Sequence, residues 1–203
     1  MEVVGINGSI NGTAAELRAQ GLSLALGEYE HARLKALVNS RTWLREDGRG
    51  KALVLLRRHP GTKVVWAASD SLALGARDAA RAIGGANVAD IIGGIDWTDE
   101  ALEAVANGQL TLSVGGHLLE SLIAMVLLHD HFNGLDFNRD PGSRYLTPMA
   151  IADRSSASIL QQRMDADLHS VDIRRLSKVR NRQLRRYDFS IDNILELPEA
   201  SVQ

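Results

Sequence analysis

The sequence predicts an α/β fold built on a doubly wound parallel sheet, and three observations carry that prediction. Short apolar runs at Val3–Ile6, Leu34–Val38, Val64–Ala67, Val88–Ile95 and Leu110–Val114 read as buried strands. Between them lie segments with helical spacing over about Thr13–Gly27, Leu44–Arg58, Ser71–Ile83 and Asp99–Ala106. The connections are short and punctuated by Gly, Asn or Pro. Strands that alternate with helices across such short links make a parallel sheet covered on both faces.

Each element has a local reason. The first strand runs into the Gly/Asn loop Gly5-Ile-Asn7-Gly8-Ser-Ile-Asn-Gly12, whose small residues suit a tight strand-to-helix turn. The second helix stops at His59-Pro60-Gly61, the third at Gly84-Gly85 and the fourth at Asn107-Gly108. The third strand closes into Trp66-Ala-Ala-Ser69-Asp70-Ser-Leu-Ala-Leu-Gly75-Ala76. Asp70 stands where an N-cap belongs, facing the free amides and the positive end of the following helix. Beyond Gly115-Gly116 the residues from His117 to Phe132 make one helix that is apolar over a wide arc. Such helices are normally buried between layers. A polar loop over Asn133–Gly142, a strand over Tyr145–Ile151, a polar helix over 155–168 and a basic tail follow.

Composition narrows the function classes. Net charge is −2, charged residues are 24% and hydrophobic residues 45%, so the chain has material for a core and no overall pull toward polyanions. The absence of cysteine excludes a disulfide scaffold, a thiol nucleophile and a cysteine zinc site. No apolar stretch reaches membrane-spanning length, and the N-terminus carries no signal-peptide pattern. The basic stretch Arg174–Arg186 is interleaved with Leu176, Val179, Leu184, Tyr187 and Phe189. It reads as a tail packed through its apolar anchors with its charges in water.

The residues able to carry chemistry collect at strand ends. In an open parallel sheet the carboxyl edge is where ligands bind. Asn7 ends the first strand, Arg18 lies early in the first helix, Trp43 follows the second strand, Ser69 and Asp70 follow the third, and Asp96 ends the fourth. The glycine loop matches neither GxGxxG nor GxxxxGK[ST], so no nucleotide site is expected there. No GxSxG or HExxH motif occurs. His129-Asp130-His131 sits in a helix, where residues two apart do not share a face, so no metal is expected. Hydrogen-bonding groups beside an aromatic plate suit a polyhydroxylated ligand such as a sugar.

Three blocks then resemble a known family. They are Trp66-Ala-Ala-Ser69-Asp70-Ser-Leu-Ala73-Leu-Gly75-Ala76, Ile92-Gly-Gly94-Ile-Asp96, and Ala101-Leu-Glu-Ala-Val-Ala-Asn-Gly108-Gln-Leu-Thr-Leu-Ser-Val114. In order and spacing they resemble the type I periplasmic binding proteins, the sugar-binding components of ABC importers, and the ligand-sensing domains of LacI-type repressors. The resemblance spans residues 1 to about 135. It implies two lobes around a hinge, with a monosaccharide or related polyol held between them and no cofactor. Arg18, Trp43 and Asp96 match the family's sugar-bonding arginine, stacking aromatic and hydroxyl-accepting aspartate. Ser69 stands where the family has a ligand-contacting Asn, Asp70 is the matching structural cap, and His117 replaces a polar hinge residue. The implied partners are an ABC permease or a sensor protein, and no nucleic acid.

The same resemblance divides the chain into a complete ligand-binding lobe at 1–114, returning elements of another, incomplete lobe at 115–154, and a C-terminal helix and tail at 155–203. It therefore implies an N-terminally truncated chain whose full-length parent is periplasmic. A non-catalytic solute-binding function is expected. A sensing domain of a regulator or of a sensor kinase is the alternative. An α/β enzyme using Asp70 and Asp96 is the third reading.

Overall fold

The computed structural model describes residues 1–84, 88–165 and 172–197. Gly85 and the end of the expected 155–168 helix lie outside that description. The expected alternation is present: β1 (Glu2–Asn7), α1 (Thr13–Gly27), β2 (Arg33–Asn39), α2 (Arg45–Arg58), β3 (Thr62–Ala67), α3 (Asp70–Ile83), β4 (Ile91–Ile95), α4 (Asp99–Ala106) and β5 (Leu112–Gly115). Next come α5 (Glu120–Phe132), a short strand β6 (Ala150–Ala152), α6 (Ala157–Asp165) and α7 (Ile191–Leu195).

One mixed sheet of order β2-β1-β3-β4-β5-β6 organises the described residues. The first five strands are mutually parallel, and β6 runs antiparallel to β5, pairing Ala152 with Ser113 and Ala150 with Gly115. The strand expected at Tyr145–Ile151 is thus shorter and shifted. It lies on the edge of the sheet, beside β5. The reason is that β5 offers an open backbone edge, which a returning segment satisfies by pairing.

On one face of the sheet, Val65, Ala67 and Ile92 pack against Leu72, Ala73 and Ala76 of α3 to form the core. Glycines set how closely α2 and α3 approach there. A Cβ on Gly75 would stand 2.1 Å from the Arg45 carbonyl oxygen, and one on Gly48 would stand 2.8 Å from the Leu72 Cα. The two helices therefore meet backbone to backbone. Arg45 Nε adds an ion pair to Asp78 at 2.6 Å across the same contact.

The helix expected at His117–Phe132 begins as a 3-10 turn at His117–Leu119 before α5. Only one stripe of α5 is covered: Ile123 and Val126 are buried, whereas Met125, Leu128 and Phe132 are exposed, the last at 82%. The C-terminal segment packs on that covered stripe. Buried Asp130 accepts hydrogen bonds from the Ser177 hydroxyl, from Lys178 N–H at 2.7 Å and from the Tyr187 hydroxyl at 2.8 Å. Leu176 and Phe189 are buried as anchors, Val179, Leu184 and Tyr187 are partly covered, and Arg180, Arg182, Arg185 and Arg186 face solvent. Arg175 instead turns inward and caps the end of α7 through Asn193 Oδ1 at 2.8 Å and the Ile194 carbonyl at 2.9 Å.

Candidate functional site

Parallel strands all end at one edge of the sheet, and the loops that follow them bring distant residues together. Arg18 lies on the second turn of α1, which follows β1. Its guanidinium donates to the Ala68 carbonyl just after β3 and, through Nη2, to Asp96 Oδ1 at 2.9 Å just after β4. His117 Nε2, just after β5, stands 3.5 Å from the same Asp96 oxygen. Arg18, Asp96 and His117 are thus one cluster, all partly accessible.

Trp43 forms the neighbouring wall. Its ring lies over Gly8, where a Cβ would stand 1.7 Å from the indole. Its Nε1 donates to Ser9 Oγ at 2.9 Å, and the Arg18 guanidinium carbon sits 5.7 Å from the ring centroid. That separation is at the outer range of a cation–π contact. Asn7 is 6% exposed at the end of β1 and donates to Asn39 Oδ1 at 3.2 Å. The Asn7 side-chain oxygen accepts no hydrogen bond from the described residues.

Backbone strain concentrates at this edge. Trp43, Asp96 and Trp97 have φ of 60°, 133° and 59° without being glycine. Conformations of this kind persist only where surrounding contacts hold them, and they cluster at binding sites. Trp97 supplies such contacts: it is buried over Gly115 and its Nε1 donates to the Ser113 carbonyl at 3.1 Å.

The capping role assigned to Asp70 requires correction. Ser69, not Asp70, is the N-cap of α3: its backbone is extended (φ −150°, ψ 163°) and its Oγ accepts from Leu72 N–H at 3.3 Å. Asp70 is the first helical residue, and its side chain leaves its own helix. Its carboxylate accepts from Ser113 Oγ at 2.7 Å and from Thr98 N–H at 2.8 Å. It therefore crosslinks α3 to β5 and to the start of α4. Cap geometry explains the exchange, because only a residue with extended φ and ψ turns its side chain back onto the amides of N2 and N3.

Electrostatics separate the two aspartates from the other carboxylates. Burial pushes the Asp96 carboxyl above the usual range, against the opposing pull of Arg18 and His117. Burial also raises Asp70, offset in part by its Ser113 and Thr98 hydrogen bonds, with the nearby Asp96 charge acting in the same direction as burial. Among the described residues no group of three metal-ligating side chains converges. His129 Nδ1 lies 3.0 Å from Asp130 Oδ1, but Asp130 is engaged by the C-terminal segment, and His131 packs edge-on against Phe132 and Phe137.

The chain as a whole is similar to known proteins. A family model for the periplasmic binding protein domain matches residues 1–125. The chain belongs to the periplasmic binding protein family. No curated protein sequence matches it. Among solved structures it is similar to a periplasmic sugar-binding protein from Pseudomonas fluorescens, with 34% identity and a TM-score of 0.86 over 97% of this chain and 60% of that one. An ABC transporter periplasmic solute binding protein from Actinobacillus succinogenes with bound D-allose has a TM-score of 0.68 at 22% identity, covering 78% of this chain and 54% of that one. The fructose-binding periplasmic domain of a hybrid two-component system has a TM-score of 0.69 at 24% identity, covering 81% and 54%. The last two likenesses are ones of fold. The chain spans 60% of the Pseudomonas fluorescens protein.

Sequence reasoning placed Arg18 and Asp96 at one edge, gave His117 only as a hinge residue implied by the resemblance, and missed Ser40, Asp47 and Ser113, which hold the neighbouring side chains. Ser113 lies inside an apolar strand, and Ser40 and Asp47 flank a turn with ordinary composition. Nothing local marks them.

Proposed function

We propose that this chain is the substrate-binding component of an ABC-type sugar import system in the periplasm, binding a monosaccharide or related polyol without catalysis. One observation carries the reading: a charged hydrogen-bonding cluster of Arg18, Asp96 and His117 stands beside the Trp43 indole at the carboxyl edge of the sheet. Asp96 accepts from sugar hydroxyls, Arg18 and His117 donate to them, and the apolar C–H face of the ring stacks on Trp43. Ser69 follows β3 at the same edge, and the Asn7 side-chain oxygen, buried at the end of β1 and unpartnered among the described residues, is an acceptor for a hydroxyl. The likeness to a periplasmic sugar-binding protein at 34% identity supports the same reading.

The test is a titration of the chain carrying 5-fluorotryptophan with D-allose, D-ribose, D-fructose and myo-inositol, followed by fluorine NMR, which detects millimolar binding. At least one of these is expected to shift the Trp43 resonance, and Arg18→Ala is expected to remove that shift. A Trp43 signal unmoved by every compound overturns the reading.

The second reading, a sensing domain, is favoured by the likeness to the periplasmic domain of a two-component system. Deleting the gene separates the two. Loss of uptake of the labelled sugar indicates import, whereas loss of sugar-induced transcription with uptake intact indicates sensing.

A further inference from the structure

The indole of Trp43 is held by a chain of hydrogen bonds that begins outside the ligand edge. Asp47, on the first turn of α2, accepts through a single oxygen, Oδ2, from the Ser40 hydroxyl at 2.9 Å and from the Arg41 N–H. Ser40 is buried, and its Oγ in turn accepts from the Trp43 N–H at 2.9 Å and from the Thr42 N–H at 3.3 Å. These bonds close a tight turn in which Trp43 takes a φ of 60°. A left-handed conformation is unfavourable for a bulky residue and needs such over-determination. At the far end of the side chain, Ser9 Oγ and the bare Cα of Gly8 receive the ring.

From this geometry we infer that Asp47 is a positioning residue for the Trp43 plate: it touches no ligand-edge group itself, and it acts through Ser40 on the backbone of Trp43. The inference rests on the sugar-binding reading for its functional meaning, and its structural content stands apart from that reading. The hydrogen bonds from Arg41 N–H and Ser40 also hold the Asp47 carboxyl below the usual carboxylate range, as a fixed acceptor requires. Because both contacts use one oxygen, an amide oxygen in the same place keeps both bonds and loses only their charge assistance. An alanine keeps neither.

The experiment uses the full chain labelled with 5-fluorotryptophan, which places one fluorine at each of Trp43, Trp66 and Trp97. The Trp43 resonance is assigned by its loss in Trp43→Phe. In Asp47→Ala the Trp43 resonance is expected to move or broaden while buried Trp97 keeps its position. Asp47→Asn is expected to restore the original spectrum. The D-allose dissociation constant is expected to rise about tenfold in Asp47→Ala and to stay within about twofold of wild type in Asp47→Asn. Should Asp47→Ala fail to fold, Ser40→Ala removes the next link and is expected to move the same resonance. A Trp43 resonance unchanged in the alanine variants overturns the proposal, whatever happens to D-allose. So does a spectrum in which Trp97 shifts as much as Trp43, which marks a general structural role. A failure of the wild type to bind D-allose or any other sugar, with Trp43 still released in Asp47→Ala, sinks the sugar reading and leaves the positioning role standing.

Discussion

Thr98 donates its backbone N–H to Asp70 Oδ2 at 2.8 Å, so the first residue of α3 anchors the residue that starts α4. The other oxygen of the same carboxylate takes the Ser113 hydroxyl at 2.7 Å. Asp70 is fully buried. Asp70→Ala therefore strands the buried Ser113 hydroxyl and the part-buried Thr98 N–H and is expected to cost about 3 kcal/mol in urea unfolding. Ser69→Ala removes a single N-cap bond and is expected to cost about 1 kcal/mol. The order of these two losses distinguishes a crosslinking Asp70 from a capping one.

Gly75→Ala tests the backbone contact between α2 and α3. In an ordinary helix interior, alanine in place of glycine stabilises by roughly 1 kcal/mol. Here the new methyl meets the Arg45 carbonyl at 2.1 Å, so the helices must separate. The expected outcome reverses the sign, to a destabilisation of about 3 kcal/mol in the unfolding midpoint. Gly21, which has nothing within 4 Å of an added Cβ, is the control and is expected to gain stability as alanine.

Acid affects binding before it affects folding. The Asp96 carboxyl is raised above its ordinary 3.8 by burial, so on acidification it protonates earlier than an exposed carboxylate. Protonation removes an acceptor for ligand hydroxyls and the charge that holds Arg18. Sugar affinity is expected to fall as pH drops through that raised value, above pH 3.8. Titrations at pH 7, 5.5 and 4.5 check it, and Asp96→Asn is expected to bind weakly at every pH.

Folding stability follows the opposite kind of carboxylate. Burial pushes Asp130 up, but its bonds from Ser177, His129, Tyr187 and the Lys178 N–H outweigh that and hold it below 3.8. A depressed folded-state value means the stabilisation is complete above the unfolded value of 3.8 and is lost as pH falls through the folded one. Asp140 and Asp78 shift the same way. Urea midpoints are expected to hold from pH 7 to about 5 and to collapse below 3.8. Asp130→Asn is expected to be less stable at pH 7 and to show a shallower acid decline.

Much of the fold was legible because its signals are local. Apolar runs of strand length, helical spacing and the stops at Pro60, Gly84 and Gly108 each act within a few residues, and the structure places α1, α2, α3 and α4 within a residue of those bounds. The exposure of one face of α5 was not legible, since a helix apolar over so wide an arc reads as buried between layers, whereas Met125, Leu128 and Phe132 face solvent. Nor was the strand around Tyr145–Ile151, because pairing with β5 and not propensity selects Ala150–Ala152.

The sequence by itself thus determined which residues form the alternating elements and that Arg18, Trp43 and Asp96 share one edge of a parallel sheet. Only the tertiary structure decided how neighbouring side chains divide their work. Ser69 and Asp70 are adjacent in the chain and chemically alike as caps; the backbone geometry makes Ser69 the cap, and the Asp70 carboxylate goes instead to Ser113, a residue 43 positions away. Likewise Asp130 finds its partners 47 to 57 positions away, on a segment that reads as a charged tail. Hydrogen bonds between distant residues depend on where packing delivers them, and no periodicity records that.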